Sequence, residues 1–245
     1  LGDVYKRQVM MTDLTLPIIG YMHSSYKEKF GIPRQPNLVQ VESYIEMLAP
    51  YNDVLAFEGI EAFSHLWLVW QFHDNKNPEK TQFRPQVRPP RLGGNKKIGV
   101  FATRSMYRPS PIGLSVVKLK YVKKEGKSVR VYVTGSDLLD GTPIVDIKPY
   151  IHYSDAVIDA ESGYAQDEPN RKSVIWSDRA IEQKQQLLTS GKLSVQTAQE
   201  FEAVLSLDPR PAYQDDEARV YKMKFAAVDI AFTVGETTVN ITAVE

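Results

Sequence analysis

Over the first 155 residues the apolar positions come in short runs, alternating with polar ones and separated by Gly, Pro, Asn and Asp. A period of two puts one face of each segment into a core, so this pattern predicts strands. Residues 17–23, 38–47, 66–72, 98–103, 114–122, 128–134 and 144–151 read as strands. Ala49 to Asn52 closes the second of them. Lys124 to Lys127 reads as the turn of a hairpin between the fifth and sixth. Pro149 interrupts the last, because proline cannot donate to a ladder. Many short strands with Gly/Pro turns predict a β-barrel or a sandwich.

The pattern changes after residue 155. Asp155 to Asn170 is acidic, polar and aperiodic, and reads as a linker. Ser177 can cap a helix over 178–189 with Gly191 past its end, and Ser194 a second over 195–207. Residues 220–233 and 237–244 alternate again and are joined by Gly235-Glu236, which predicts a closing hairpin. The expected organisation is a β domain over 11–155 and a small α+β domain over 170–245. Residues 1–10 read as a leader foreign to the fold, ahead of a natural start at Met10 or Met11.

Composition narrows the chemistry. The chain has no cysteine, which removes disulfides, thiolate catalysis and cysteine metal sites, and suits a cytoplasmic protein. No apolar run reaches the length of a membrane span. His23, His65, His73 and His152 lack ligand spacing, so no metal site is expected. His65 reads as a packed histidine, and His73, beside the polar Asp74-Asn75 turn, as a site candidate. Ser105 and Ser110 sit in no nucleophile elbow, which argues against a hydrolase.

Net charge is zero, but its distribution is uneven. From Lys80 to Lys124 there are twelve Lys/Arg and no Asp/Glu; from Asp137 to Glu168 the only base is Lys148. Lys118 to Lys124 read as a solvated strand and turn. Arg84, Arg88, Arg91, Lys96 and Lys97 lie among Pro85, Pro89, Pro90, Gly93 and Gly94, which forbid regular structure. An ordered basic loop of this kind suits RNA phosphates.

The segment Gly99 to Gly113 carries the strongest signal. It reads as a strand that runs into backbone stiffened by Pro109 and Pro111, with Arg104 and Arg108 four residues apart. Two guanidiniums held on one side suit a phosphate, a carboxylate or a stacked base. Asp137, Asp140 and Asp146 form an acidic cluster after the hairpin, and Asp140-Gly141-Thr142-Pro143 reads as a fixed corner. Asp208 to Tyr213 is a second proline-stiffened loop, whose Arg210 and Tyr213 suit either RNA contact or domain docking.

The 99–113 segment resembles the central motif of the TsaA/YaeB-like (TrmO) family, with Ser110 where Asn is usual and Met106 where many members have Pro. Residues 26–36, 61–67, 87–95, 140–150 and 208–213 are similar to further family blocks and arrive in family order, so the resemblance covers about 17–215. It implies a mainly β fold, an N-terminal β-barrel domain with a small C-terminal α+β domain, and a homodimer. It also implies an S-adenosyl-L-methionine-dependent tRNA methyltransferase. The implied acceptor is the exocyclic amine of N-6-threonylcarbamoyladenosine, next to the anticodon of threonine tRNA. The implied cofactor residues are Gln35, Pro36, Asn37, Asp74, Asn75, Arg104, Leu114, Thr134, Gly135, Ser136 and Asp137. Singly, Asn37, Asn75 and Asp137 also read as turn residues. Asp140 is the candidate base or orienter of the amine, with a structural turn aspartate as the alternative. Arg84, Arg88, Arg91, Lys96, Lys97, Arg108, Arg210 and Tyr213 are the candidate RNA contacts. The competing reading is a non-catalytic RNA-binding β-barrel.

Overall fold

Six of the predicted strand segments close on one another. In the computed structural model, which describes residues 14–74, 83–211 and 213–245, β1 (Gly20–His23), β2 (Glu42–Met47), β3 (His65–Gln71), β6 (Ile112–Glu125), β7 (Ser128–Thr134) and β8 (Pro143–Pro149) form a closed barrel. Its strand order is β1-β2-β7-β6-β3-β8, and every adjacent pair is antiparallel. Two short strands, β4 (Gln86–Val87) and β5 (Ile98–Gly99), pair with each other outside it. Closure leaves no unpaired barrel edge. The inward positions of the alternation meet in one core that includes Met22, Ile45, Leu66, Leu68, Val117, Val131, Val133 and Ile144.

The antiparallel order decides which loops share an end. The β1–β2 connection (24–41), the β3–β6 connection (72–111) and the β7–β8 connection (135–142) all leave from one mouth. The β6–β7 hairpin and the chain after β8 lie at the other. The linker therefore starts at the far mouth. It is fastened to the barrel side by Asp155, which accepts from Trp67 Nε1 at 2.8 Å.

The second domain is a four-stranded sheet in the order β10-β11-β12-β9, from β9 (Ser173–Trp176), β10 (Tyr221–Phe225), β11 (Val228–Val234) and β12 (Thr238–Val244). Helices α1 (Asp178–Thr189) and α2 (Val195–Leu205) complete it. Ser177 and Ser194 cap them as predicted, accepting from Ala180 N at 3.3 Å and Thr197 N at 2.9 Å. The fold is thus the expected mainly β one, a barrel with a small α+β domain.

Three local expectations fail for identifiable reasons. Residues 98–103 are not one strand: pairing stops at Gly99, and Val100–Ala102 form a 3-10 turn. Residues 220–233 are two strands, because Ala226 takes φ 50 and turns the chain within an unbroken alternation. β9 was missed: it is four residues long and pairs in parallel with β12, a partner distant in sequence. The leader 1–10 lies outside the described residues.

The β1–β2 connection does not belong to the barrel core. Tyr26, Val39 and Val41 are buried with Phe201, Phe225, Phe232 and Ile241 of the second domain, and Phe30 and Ile32 pack on the same cluster. Tyr26 bridges to Phe225, and Ala226 N donates to Ser25 O at 2.8 Å. Gly31 sits at φ +92 so close to Met223 that a Cβ there would fall 2.2 Å from its sulfur. The 24–41 segment is anchored by the second core and presented back to the barrel mouth.

A chain ending at Ser162 should therefore keep β-rich circular dichroism but lose the anchor of this segment. Trypsin should cut at Lys27, Lys29 or Arg34 at least about tenfold faster than in the full chain. Equal cleavage rates would show that the barrel holds the segment by itself.

Candidate functional site

The three connections at the near mouth enclose a cavity of about 500 Å3. The barrel supplies its floor: Trp70 and Phe72 from the end of β3, and Ile112, Gly113 and Leu114 from the start of β6. The 24–41 connection supplies Lys29, Ile32, Pro33, Arg34 and Gln35, and the 72–111 connection His73, Asp74, Arg104, Met106 and Arg108. Asp137, Leu139 and Thr142 come from the third connection. An apolar, aromatic floor with a few convergent polar groups is the usual make-up of a small-molecule site.

The floor is fixed by close packing. A Cβ on Gly113 would fall 2.2 Å from Trp70, so only glycine lets the indole cross that position. Trp70 Nε1 donates to Ser115 Oγ at 3.0 Å, and Ser115 Oγ donates to Asp137 Oδ1 at 2.7 Å. This chain aims the Asp137 carboxyl at the cavity from below. Burial is the main cause that pushes it up to about 6, against the opposing hydrogen bond from Ser115 and the attraction of Arg104. Burial likewise holds the His73 imidazole below its ordinary value.

The walls are tied across the cavity. Lys29 bonds the Asp74 carbonyl and pairs with its carboxylate at 3.5 Å, and Arg104 donates to Gln35 Oε1. Arg34 donates to Arg210 O at 3.2 Å, which fastens the same wall to the second domain. Arg104 and Arg108 line one cavity, but an extended strand does not put them there, since the chain turns between them. Arg104 is exposed and its guanidinium reaches Gln35. Arg108 is half-buried, and its guanidinium donates to Ser105 O and Thr103 O within its own loop. A cation so engaged stiffens the loop more than it reads a phosphate.

Of the expected cofactor residues, Gln35, Asp74, Arg104, Leu114 and Asp137 line the cavity. Pro36, Asn37, Thr134, Gly135 and Ser136 stand behind it. Asn37, at φ 64, takes a hydrogen bond geometry that joins three elements: its N donates to Gly135 O at 2.8 Å and its Nδ2 to Val116 O at 2.9 Å. Thr134 Oγ1 donates to Gln40 at 3.0 Å, and Ser136 Oγ accepts from Leu138 N at 3.2 Å. Asn75 lies outside the described residues.

Asp140 does not line the cavity. It borders an adjoining groove, where Oδ1 accepts from Ser24 N at 2.9 Å and Oδ2 pairs with Lys27 at 2.9 Å. The corner that carries it clamps the start of the β1–β2 connection. The Arg210 guanidinium is likewise engaged within its own domain: it pairs with Asp208 at 2.9 Å and donates to Val234 O at 3.3 Å. Tyr213, by contrast, is 72% exposed. Arg84, Arg88, Arg91, Lys96 and Lys97 are all exposed, with Arg84 stacked over Tyr107 at 4.5 Å and Arg91 on the Asp167 carbonyl. Sequence reasoning missed Trp70, Ser115 and Lys29. Gly113 at the start of a β-branched strand was the available signal for a side chain crossing the backbone.

Comparison with known proteins gives a consistent result. The model of the tRNA-methyltransferase O N-terminal domain matches residues 21–156, and that of the TrmO C-terminal domain matches residues 169–245. The chain is 45% identical over 208 residues to a tRNA (adenine(37)-N6)-methyltransferase of Escherichia coli, covering 84% of this chain and 86% of that protein. It is 44% identical over 223 residues to a putative S-adenosylmethionine-dependent methyltransferase of Pseudomonas aeruginosa, covering 90% and 92%. A crystal structure of TrmO from Pseudomonas aeruginosa matches with TM-score 0.76 and 34% identity over 96% of this chain and 99% of that one.

The raised Asp137 carboxyl has a stability signature. Its folded value of about 6 exceeds an unfolded value of about 3.9, so the folded state binds the extra proton between those limits. Stability from this group is full below about pH 4 and lost as pH rises through about 6. In Asp137→Asn that loss is absent. The melting temperature of Asp137→Asn relative to the parent should therefore climb from pH 4 to pH 6 and level off above. A gap that stays constant across this range would show that the carboxyl is not held in a proton-favouring environment.

Proposed function

The chain belongs to the tRNA-methyltransferase O (TrmO) family, and on that premise we propose that the mouth cavity holds S-adenosyl-L-methionine for methylation of a tRNA adenine at its exocyclic amine. The observation that carries this reading is the presence, in one apolar-floored cavity, of a half-buried carboxylate held by Ser115 and an exposed arginine held by Gln35. The residues fit the group. Arg104 suits the carboxylate of an amino acid end, and Trp70, Phe72 and Leu114 suit an adenine and a thioether. Asp137 suits a cation in a low-dielectric pocket. The bound group supplies an electrophilic sulfonium methyl.

The chain's own residues do the rest by position. The floor and the tied walls hold two partners in line and exclude water, which is the larger part of what an in-line displacement requires. Asp137, rather than Asp140, is the carboxylate that we assign to the proton of the amine. Its value near 6 leaves it ionised yet basic at neutral pH, the condition for a general base. Asp140 keeps the role of fastening the wall through Ser24 and Lys27. The finer acceptor is N-6-threonylcarbamoyladenosine next to the anticodon of threonine tRNA, and the working assembly a homodimer in the cytoplasm, as the resemblance implies. Among the described residues no helix is long and apolar enough to cross a membrane.

Methyl transfer from labelled S-adenosylmethionine to tRNA, followed by nucleoside mass spectrometry, tests the activity. Absence of any methylated adenosine would overturn it. In calorimetry, Arg104→Ala should weaken cofactor binding by about 1.5–3 kcal/mol, the worth of a charge-assisted pair. Unchanged affinity in a folded variant would remove Arg104 from the cofactor site.

tRNA binding should weaken steeply with salt. Replacing both Arg88 and Arg91 by Ala should lower the log–log slope by about one for each lost phosphate contact. An unaltered slope would show that this loop faces away from the RNA.

A further inference from the structure

The proline-rich loop that lines one side of the cavity exposes two phenylalanines. Phe101 is 74% exposed and Phe83 51%, with ring centroids 6.2 Å apart and planes 31° from parallel. Neither ring is covered by a core, and neither is loose. Phe101 sits in the 3-10 turn whose first residue, Val100, is buried and donates to Pro85 O at 3.0 Å. Gln86 and Val87 pair with Gly99 and Ile98 beneath the two rings. Arg84, next to Phe83, donates its backbone N–H to Tyr107 O at 3.2 Å and stacks its guanidinium on the Tyr107 ring. That fastens the pair to the arm that carries Met106 and Arg108 into the cavity. Phe101 is three residues from Arg104, so at most roughly 10 Å of chain separates its backbone from that of Arg104 at the cavity rim.

The electrostatics choose the occupant. Residues 83–111 hold seven Arg or Lys and no Asp or Glu. A partner that rests on this loop must bring negative charge and flat apolar faces together. An unpaired RNA strand offers both, because its phosphates meet cations while its bases stack on aromatic rings. A duplex offers the charge but keeps its bases inside.

We propose that Phe83 and Phe101 form a stacking platform for the unpaired nucleotides that flank the base entering the cavity. The proposal rests on the tRNA reading and adds to it how the flanking loop is held. Sequence-independent stacking there would also lower the cost of drawing a neighbouring base out of its stack.

The test is fluorescence anisotropy on the full-length protein with two labelled RNAs: a stem–loop with seven unpaired nucleotides, and a continuous duplex of equal charge. Phe101→Ala should weaken stem–loop binding about 5- to 100-fold and leave duplex binding and S-adenosylmethionine affinity unchanged. Phe101→Trp should restore it. Exposure of the ring means that the variant should melt with the parent. If the parent binds the stem–loop and Phe101→Ala binds it equally well, the platform is overturned while the tRNA reading stands. Equal losses on stem–loop and duplex would also overturn it, as would an altered sedimentation coefficient without loss of RNA binding, which would assign the rings to a contact between copies. If the parent binds neither RNA, the tRNA reading itself fails.

Discussion

A single stretch of chain, residues 24–41, serves one core and one cavity at once. Tyr26, Val39 and Val41 are buried in the second domain, and Phe30 and Ile32 lean on it. Lys29, Pro33, Arg34 and Gln35, between and after them in the chain, line the cavity at the barrel mouth. Burial of that apolar face is the dominant driving term, at roughly 25 cal/mol per Å2 removed from water. The polar face is then positioned with no packing of its own. The opposite wall hangs on it through Lys29–Asp74 and Arg104–Gln35. A small domain with no residue in the barrel interior thus sets the width of the cavity.

Below that wall the barrel provides what loops cannot. Asp137 is oriented by Ser115, Ser115 by Trp70, and Trp70 by the absence of a side chain at Gly113. The Trp70, Gly113 and Ser115 positions are fixed by the β3–β6 register, in which Trp70 lies opposite Gly113. Desolvation raises the acid while Arg104 and the serine hydroxyl oppose it, and burial wins. The result is a carboxyl pushed up to about 6, toward neutrality. Asp140, three residues on, has both oxygens engaged by Ser24 and Lys27 and lies outside the cavity. Two aspartates of one cluster therefore receive opposite tasks from their surroundings.

Much of this was legible. Short apolar runs bounded by turn residues, with clear alternation over 114–122 and 128–134, located the six barrel strands. Serine caps and Gly191 bracketed the helices, because orphan N–H and C=O groups demand local partners. What escaped was set by long-range contacts. β9 is too short to show a period and pairs with a strand more than sixty residues away. The 98–103 run is β-branched and apolar, yet Val100 is pulled onto Pro85 O and the pairing ends. The candidate site was legible as a set of types, Arg, Asp, Gln and Asn. The sequence could not tell the lining Asp137 from the clamping Asp140, nor a reaching Arg104 from Arg108, whose guanidinium is spent on its own loop, and Arg210, spent on Asp208 and Val234.

The zero net charge conceals how the two domains are arranged about the site. The basic 84–97 loop and the acidic linker are not merely opposite in sign. The Pro90–Leu92 turn packs against the Gly163–Ala165 turn, and Arg91 donates to the Asp167 carbonyl. The linker starts at the far mouth, is pinned at Asp155 to Trp67, and reaches the basic loop on its way to the second domain. It therefore braces, at Pro90–Leu92, the connection whose Arg104 is held by Gln35. A loop braced on both sides can keep exposed cations and exposed aromatic rings in fixed positions, which an isolated proline-rich segment cannot do. Local field and local rigidity, rather than net charge, are what this chain offers a polyanion.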